Sequence, residues 1–259
     1  MRSIGVVVDT GAPTMNRLHS KHTQEKAKSS AVLPLTVNGC ALIPDPSGAL
    51  IWPARRLIGD ADLHLEKGSS YAPRGRFIPP YDSRTTLSAL ARVIAGNRAE
   101  QVICLGDSFH DQDAAARLSP QEVATIRRLT ATRRWTWIAG NHDTAPPKKL
   151  GGEIANELTL GPLVFRHQAL DDASAPGELS GHYHPKATVA TRSRRITARC
   201  FVTDGTRAIL PSFGAYTGGL DVLDPAITSL FGRTFAVHML GREKVHVLAR
   251  RQLAPWKRG

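Results

Sequence analysis

Acidic and imidazole side chains follow several apolar runs in this chain, and their repetition indicates a metal site. The clearest case is the run Val102–Leu105, where Gly106 ends the strand pattern and Asp107 follows without a neighbouring cation. Alone, a Gly-Asp pair after a strand is more typical of a turn. Similar arrangements recur, however, and together they offer seven candidate metal ligands: Asp62, His64, Asp107, Asn141, His167, His182 and His184.

The ligand types narrow the choice of metal. Imidazole and oxygen ligands without thiolates suit Mn, Fe or Zn better than copper(I) or an iron–sulfur cluster. Seven ligands exceed the needs of one ion, and two ions about 3.5 to 4 Å apart require a bridging carboxylate, a role that we assign to Asp107. Residues two apart in extended chain point to the same side, so the Asp-x-His and His-x-His spacings predict that the two side chains of each pair face the metals together. The other ligands divide into one site with Asp62, His64 and His184 and another with Asn141, His167 and His182.

The elements that carry these residues alternate between strand and helix in the first half of the chain. This order predicts a parallel sheet, and the first two strands are expected to form an antiparallel pair. The segment from Lys67 to Ser83 is rich in Gly and Pro and is expected to be an irregular loop. The predicted strands are Leu33–Ile43, Ala49–Trp52, Arg56–Ala61, Val102–Leu105 and Trp135–Ala139, and the predicted helices are Thr85–Ile94 and one that begins after Ser119 and ends near Arg133.

Beyond Glu157 the pattern changes to strands, and only Pro225–Leu230 is a credible helix. The predicted strands there are Glu157–Leu160, Leu163–His167, Ala187–Thr191, Ile196–Thr203, Arg207–Pro211, Phe235–Leu240 and Val245–Ala249. The pattern as a whole predicts an α/β sandwich of two mixed sheets with flanking helices.

The length of 259 residues suits one α/β domain, which we place at 31–259 after a polar, aperiodic extension at 1–30 that is expected to be disordered. Met15 is an alternative start. No apolar stretch approaches the roughly 20 residues that cross a bilayer, so we expect no membrane association.

The chain has three widely spaced cysteines, and they form no Cys-x-x-Cys pair. They favour a reducing compartment, and the predicted location is the cytoplasm.

The net charge of +12 makes a polyanionic partner such as DNA plausible, although a basic surface also serves solubility. Arg250, Arg251, Lys257 and Arg258 flank Trp256 in a basic C-terminus that is predicted either to contact nucleic acid or to be merely solvated. The sequence leaves the oligomeric state open.

The complete ordered set of motifs resembles the signature of the calcineurin-like metallophosphoesterases. It comprises Asp62-x-His64, Gly106-Asp107, Gly140-Asn-His-Asp143, His167 and Gly181-His-x-His184. The resemblance covers about Leu33 to the C-terminus. It implies a four-layer αββα sandwich of two mixed β-sheets flanked by helices.

A narrower resemblance is to the bacterial ligase-associated DNA damage response endonucleases. The segments that carry it are Asp62-Leu-His-Leu-Glu-Lys-Gly68, Pro79-Pro-Tyr-Asp82, Leu105-Gly-Asp-Ser-Phe-His-Asp111 and Gly181-His-Tyr-His-Pro185. The resemblance implies phosphodiester cleavage, Mn dependence and a DNA repair setting with an ATP-dependent DNA ligase and a helicase. One departure is Asp111, which is shifted by one residue from the family's Gly-Asp-x-x-Asp pattern.

The predicted reaction is hydrolysis of a phosphodiester by a hydroxide held between two metal ions, which the resemblance implies to be Mn²⁺. His142 is expected to face the phosphate and help to protonate the leaving oxygen. Asp143 is expected to orient its ring or, nearly equally, to cap a helix. Gly140 and Gly181 are expected to permit close backbone approach to the metals, although turn glycines would look the same.

Lys67, Arg74 and Arg76 are candidates for binding substrate phosphates, and solvated loop charges are the alternative. Two other functions stay open. One is a phosphatase or pyrophosphatase that acts on a small nucleotide or lipid precursor. The other is a DNA-binding scaffold with a vestigial site.

Overall fold

The computed structural model describes residues 33–75, 81–143, 148–171, 176–232 and 234–256, with the backbone alone at 72–74. The predicted extension at 1–30 lies outside the described residues. The assignment of 31–259 to one domain stays a prediction. Among the described residues, no helix combines the length and apolar character needed to cross a bilayer.

The first sheet has seven strands whose spatial order equals their order in the chain. The early strands pair antiparallel and the later ones, from β4 to β7, pair parallel. The strands are β1 (Leu35–Val37), β2 (Cys40–Pro44), β3 (Leu50–Trp52), β4 (Leu57–Asp60), β5 (Gln101–Leu105), β6 (Arg134–Ile138) and β7 (Glu153–Ala155).

The second sheet has eight strands, in the order β15-β14-β12-β13-β10-β9-β8, with β11 paired to β12 beside this path. Parallel pairing occurs at its centre, where β10 lies between β9 and β13. The strands are β8 (Glu157–Leu160), β9 (Leu163–Arg166), β10 (Glu178–Ser180), β11 (Lys186–Ala190), β12 (Arg195–Thr203), β13 (Ala208–Ile209), β14 (Ala236–Leu240) and β15 (Val245–Ala249).

The helices are α1 (Asp82–Gly96), α2 (Ala114–Arg117), α3 (Pro120–Ala131) and α4 (Pro225–Thr228). Ser119 caps α3 through its side chain, and Glu122 completes the predicted capping box. Short 3₁₀ helices occur at Pro53–Arg55, Ser69–Arg74, Lys148–Leu150 and Arg250–Gln252. The segment after Lys67, which we predicted to be irregular, thus contains a short regular turn.

Strand alternation divides the buried side chains into layers. On β5, Ile103 and Leu105 pack between the sheets with Phe165 and Phe201 of the second sheet. The neighbouring side chains of β5, Val102 and Cys104, face the opposite way and pack with Leu90 of α1 and Leu129 of α3. This alternation makes β5 the centre of two cores.

On the outer face of the second sheet, Val202 and Val237 pack under Ile227 of α4. The predicted four-layer sandwich is therefore confirmed, with a thin fourth layer because α4 is only four residues long.

The predicted strand Leu33–Ile43 is in fact a hairpin. Asn38 and Gly39 both have positive φ, 46° and 78°, and form the turn between β1 and β2. Asn-Gly favours this type of turn because both residues tolerate left-handed backbone. The prediction of one strand was wrong, whereas the antiparallel pairing of the following strands, β2 and β3, is confirmed.

Candidate metal centre

The seven candidate ligands lie in loops that follow strands at the parallel centres of the two sheets. In the first sheet Asp62 and His64 follow β4, Asp107 follows β5 and Asn141 follows β6. In the second sheet His167 follows β9, and His182 and His184 follow β10. Ligand sites in α/β sheets collect at the carboxyl ends of strands, because loops from several parallel strands meet there.

Backbone hydrogen bonds hold the loops after β4 and β5 together. The amide of His64 donates to the carbonyl of Asp107 at 2.9 Å, and that of Leu65 donates to Ser108 at 2.9 Å. Leu65 also forms an isolated parallel bridge with Phe109. The two loops thus continue the parallel pairing beyond the strands and fix the first ligands relative to Asp107.

The first cluster consists of Asp62, His64 and His184, which could hold one metal ion. The Nε2 atoms of the two histidines are 3.3 Å apart. His184 Nε2 also lies 3.3 Å from Asp62 Oδ1. These atoms converge on one point, as ligands of a single cation do.

The second cluster consists of Asp107, His167 and His182. His167 Nε2 lies 3.1 Å from His182 Nδ1. Asn141 Oδ1 lies 2.8 Å from the former nitrogen and 3.0 Å from the latter. The structure therefore brings Asn141 to the cluster that the sequence assigned to it.

Asp107 lies between the two clusters. Its Oδ2 atom is 3.4 Å from His167 Nε2 and 4.0 Å from His64 Nε2. Its Oδ1 atom accepts a hydrogen bond from the backbone N–H of His142 at 2.9 Å. One carboxylate that faces both groups is the arrangement that a bridging ligand needs.

The ligand-bearing backbone is strained rather than extended. Asp62, His64, Asp107, His182 and His184 all have positive φ, between 44° and 70°. Left-handed backbone at non-glycine residues is costly and concentrates at functional sites. The prediction of extended chain at these pairs was wrong, whereas His182 and His184 lie in different clusters, as the predicted division of the ligands requires.

Two glycines allow ligand-bearing segments to approach each other closely. A Cβ atom at Gly140 would lie 2.2 Å from both the backbone nitrogen and Oδ1 of Asp107. A Cβ atom at Gly181 would lie 2.8 Å from Asp62 Oδ2. We predicted that these glycines allow the backbone to approach the metals closely, and the structure places their backbone close to the candidate ligands.

The charges of the centre fit divalent cations. Asp62 and Asp107 are 0% and 2% exposed, and within the described part of the chain their ion-pair partners are histidines alone. Burial, followed by the charge of His184, lowers the pKa of His64 to about 2, so its imidazole is neutral. Buried carboxylates are stabilised by added positive charge, and the neutral imidazole of His64 is in the form that ligates metals.

His142 lies at the open side of the centre. Its side chain is 42% exposed, and its Nε2 atom lies 3.9 Å from Asp107 Oδ2. Its Nδ1 atom is 2.8 Å from the carbonyl oxygen of His110, and donation to this carbonyl leaves Nε2 directed to the centre. Nε2 is therefore available for a substrate.

Asp143 has a different partner from the one predicted. Its Oδ2 atom accepts a hydrogen bond from the backbone N–H of Phe109 at 3.0 Å. Chiefly because of burial, its pKa is raised to about 7. The His110 carbonyl, not Asp143, is the hydrogen-bond partner of the His142 ring, and Asp143 ties the loop after β6 to the loop after β5.

Sequence reasoning gave no role to His110. Its ring stacks on His142, with centroids 5.4 Å apart and planes at 20°. It also meets the edge of His64 at 5.5 Å. The signal was present, because His110 is part of the motif that carries the branch resemblance, but only the three-dimensional packing shows its position.

Asp111 forms a two-pronged ion pair with Arg117, at 2.9 and 2.7 Å. Arg117 also donates to Ser69 Oγ at 2.8 Å, so the pair secures the loop after the first cluster.

The predicted phosphate-binding residue Lys67 is half-buried in that loop, and its charge contributes to the lowered pKa of His64. The side chain of Arg74 and all of Arg76 lie outside the described residues, so their predicted phosphate contacts stay predictions.

The fold has a counterpart among solved structures. A nuclease MPE from Pseudomonas putida is 30% identical over 82% of this chain and 98% of that chain, with a TM-score of 0.63. No protein-family model matches the sequence, and no curated protein does.

Two other solved structures are more distant. Yfce, a phosphoesterase from E. coli, is 14% identical over 74% of this chain and 97% of that chain, with a TM-score of 0.37. A predicted phosphoesterase from Streptococcus pneumoniae is 16% identical over 75% and 97%, with a TM-score of 0.31. Both superpose too loosely to inform the function.

The likeness to the Pseudomonas nuclease agrees with the narrower branch that the motifs resemble. It spans nearly all of that protein. The chain belongs to the calcineurin-like metallophosphoesterases and is a hydrolase that acts on ester bonds.

Proposed function

We propose that this chain is a phosphodiesterase that uses two divalent metal ions, most favourably Mn²⁺, to cleave DNA. The observation that carries the proposal is the position of Asp107, whose Oδ2 atom faces His64 of one ligand cluster and His167 of the other. The nuclease from Pseudomonas putida supports a nucleic acid as the substrate class.

The side chains divide the work between holding metal and handling substrate. Asp62, His64 and His184 would hold one ion, and Asn141, His167 and His182 the other, with Asp107 shared. When bound, the ions would supply a nucleophile from water at neutral pH and neutralise phosphoryl charge. When its ring carries a proton on both nitrogens, His142 can keep Nδ1–H on the His110 carbonyl and give the Nε2 proton to the leaving oxygen.

The exposure of the centre supports a polymeric substrate. Asn141 and His142 are exposed, and His182 and His184 are half-buried, so a long strand can pass over the ligands. A net charge of +12 favours a polyanion, because each neutralised phosphate releases counterions. Because the centre is open, few side chains would surround a small monoester bound there.

We also place this activity in DNA repair in the cytoplasm, in association with an ATP-dependent ligase and a helicase. The motif resemblance supports this setting, and the three cysteines, which are all free, suit a reducing compartment. Loss of the gene is expected to sensitise cells to DNA damage. A deletion strain with unchanged survival after damage would remove this part of the proposal.

The enzymatic proposal can be tested on purified, metal-stripped protein reloaded with Mn²⁺, Fe²⁺, Zn²⁺ or Mg²⁺. Bis-p-nitrophenyl phosphate, its monoester, inorganic pyrophosphate, single-stranded DNA and duplex DNA would be compared as substrates. We expect diester and DNA cleavage with Mn²⁺, and its loss in Asp107→Asn and His142→Ala. His246→Ala, which changes an exposed histidine on β15, is the matched control.

Two results would overturn the proposal. A protein inert towards every substrate with every metal would be a scaffold, not a phosphodiesterase. Faster turnover of the monoester or of pyrophosphate than of either diester would identify a phosphatase or pyrophosphatase.

A further inference from the structure

A cleft of about 820 Å³ is lined by cationic side chains and one exposed aromatic ring. Arg92 of α1, Lys186 of β11 and Arg199 of β12 supply the charges, and Trp256 supplies the ring. Among the described residues that line it, none is acidic. A cleft with one sign of charge concentrates ligands of the opposite sign.

The cleft adjoins the first metal cluster. Gly214 lines the cleft and donates its backbone N–H to the carbonyl of Asp62 at 3.1 Å. Lys186 follows the cluster residue His184 by two positions. A Cβ atom at Gly219 would lie 2.3 Å from the His184 carbonyl and 3.1 Å from Lys186 Cε. Residues that line the cleft are therefore direct neighbours of two residues of the first metal cluster, Asp62 and His184.

Within the part of the chain that the structure describes, two of the three cations, Lys186 and Arg92, make no side-chain hydrogen bond or ion pair. Arg199 donates to the carbonyls of Ser212, at 2.6 Å, and Ser47, at 3.3 Å, so its guanidinium is already engaged. Lys186 is half-buried, and its charge contributes to the lowered pKa of Lys67, which lies in the loop after His64. Arg92 is exposed. Lys67, Lys186 and Arg92 thus continue the positive charge from the metal centre into the cleft.

Trp256 is anchored although it lies close to the end of the chain. Its backbone N–H donates to Asp221 Oδ2, and the amide of Ala254 donates to the Thr188 carbonyl at 2.8 Å. Trp256 as a whole residue remains 41% exposed, and Lys186 Nζ lies 5.9 Å from the centroid of its ring. An exposed ring on a fixed backbone, beside a cation, provides a surface on which an unpaired base can stack.

We propose that this cleft binds the single-stranded part of a polynucleotide next to the phosphodiester that the metal centre cleaves. Trp256 stacks on a base, and Lys186 and Arg92 bind backbone phosphates. An unpaired strand is required because bases inside a duplex cannot reach the indole face. The inference rests on the proposed phosphodiesterase function and adds the site that holds the strand.

Binding and turnover of Trp256→Ala, Trp256→Phe, Lys186→Gln and Arg92→Ala test the proposal. Fluorescence anisotropy with a single-stranded oligonucleotide would give Kd at several salt concentrations, and kcat/KM would be measured on that oligonucleotide and on bis-p-nitrophenyl phosphate. Arg128→Ala removes an exposed arginine from α3, outside the cleft, and is the charge-matched control.

We expect Trp256→Ala to weaken oligonucleotide binding by about 5- to 100-fold, and Trp256→Phe to weaken it less, because phenylalanine keeps an aromatic face. Lys186→Gln and Arg92→Ala should each reduce the slope of log Kd against log salt by about 0.7. In all four variants the loss of kcat/KM should be larger for the oligonucleotide than for the small diester.

The failures of the two proposals are distinguishable. If the wild-type protein hydrolyses neither diester, the proposed function fails. If the wild type cleaves both, but the cleft variants bind the oligonucleotide as Arg128→Ala does or lose the same factor on both substrates, the cleft proposal alone is overturned. A larger loss with duplex than with single-stranded DNA would also overturn it.

Discussion

The metal centre and the neighbouring cleft differ in almost every physical property. In the centre, Asp62 and Asp107 are buried, their surroundings are imidazoles and the backbone is strained. In the cleft, by contrast, Arg92 and Trp256 are exposed and the described lining carries no acid. The difference indicates that one region has the groups for chemistry and the other has the groups for holding a long anionic substrate.

The largest expected effect is that of Asp107→Asn, because it removes the shared carboxylate. We expect kcat on any diester to fall by about 10³-fold or more, equivalent to roughly 4 kcal/mol of transition-state stabilisation. The loss should be similar on bis-p-nitrophenyl phosphate and on an oligonucleotide, and metal analysis should show fewer than two Mn per chain. Equal metal content and activity in variant and wild type would contradict the account.

His142→Ala should separate metal binding from catalysis. Because His142 lies outside both ligand clusters, we expect two bound metal ions and a fall in kcat of about 10²- to 10⁴-fold. Steady-state kinetics together with metal analysis would check this. If the variant instead bound fewer metal ions than the wild type, His142 would be identified as a metal ligand.

Gly140→Ala should disturb the centre through crowding. Its Cβ atom would lie 2.2 Å from Asp107, and such overpacking typically costs about 1–3 kcal/mol. Chemical denaturation should show this loss of stability. Gly232→Ala, where an added Cβ meets nothing within 4 Å, is the control and should change stability little. Equal effects of the two substitutions would show that crowding at Gly140 is unimportant.

Asp111→Asn should have the smallest effect. Its ion pair with Arg117 is partly exposed, with side chains 39% and 29% accessible, and such pairs contribute about 1 kcal/mol or less. Denaturation midpoints should shift slightly, and kcat should stay within about 3-fold of the wild type. A loss comparable to that of His142→Ala would place Asp111 in the functional machinery.

The first sheet was more predictable than the second. The apolar runs of β4, β5 and β6 are distinct in the sequence, so their ends located Asp62, Asp107 and Asn141. In the second sheet, by contrast, β10 is three residues long, too short for a periodic pattern, and was missed. The equally short β7, at the edge of the first sheet, was missed for the same reason. His182 and His184 were therefore predicted from their residue types and not from the strand that precedes them.

Other features depend on contacts that a linear pattern does not contain. The left-handed backbone of five ligands follows from the packing of several loops, so extended chain was the wrong expectation. The hydrogen bond from His142 to the His110 carbonyl joins different loops in the same way. The Asn38-Gly39 hairpin, however, has a strong local signal and could have been predicted.

Anomalous scattering from crystals soaked in Mn²⁺ tests the central claim most directly. The account predicts two peaks, one on each side of Asp107, the first beside Asp62, His64 and His184 and the second beside Asn141, His167 and His182. A single peak, or peaks remote from Asp107, would contradict a dinuclear centre with a shared carboxylate.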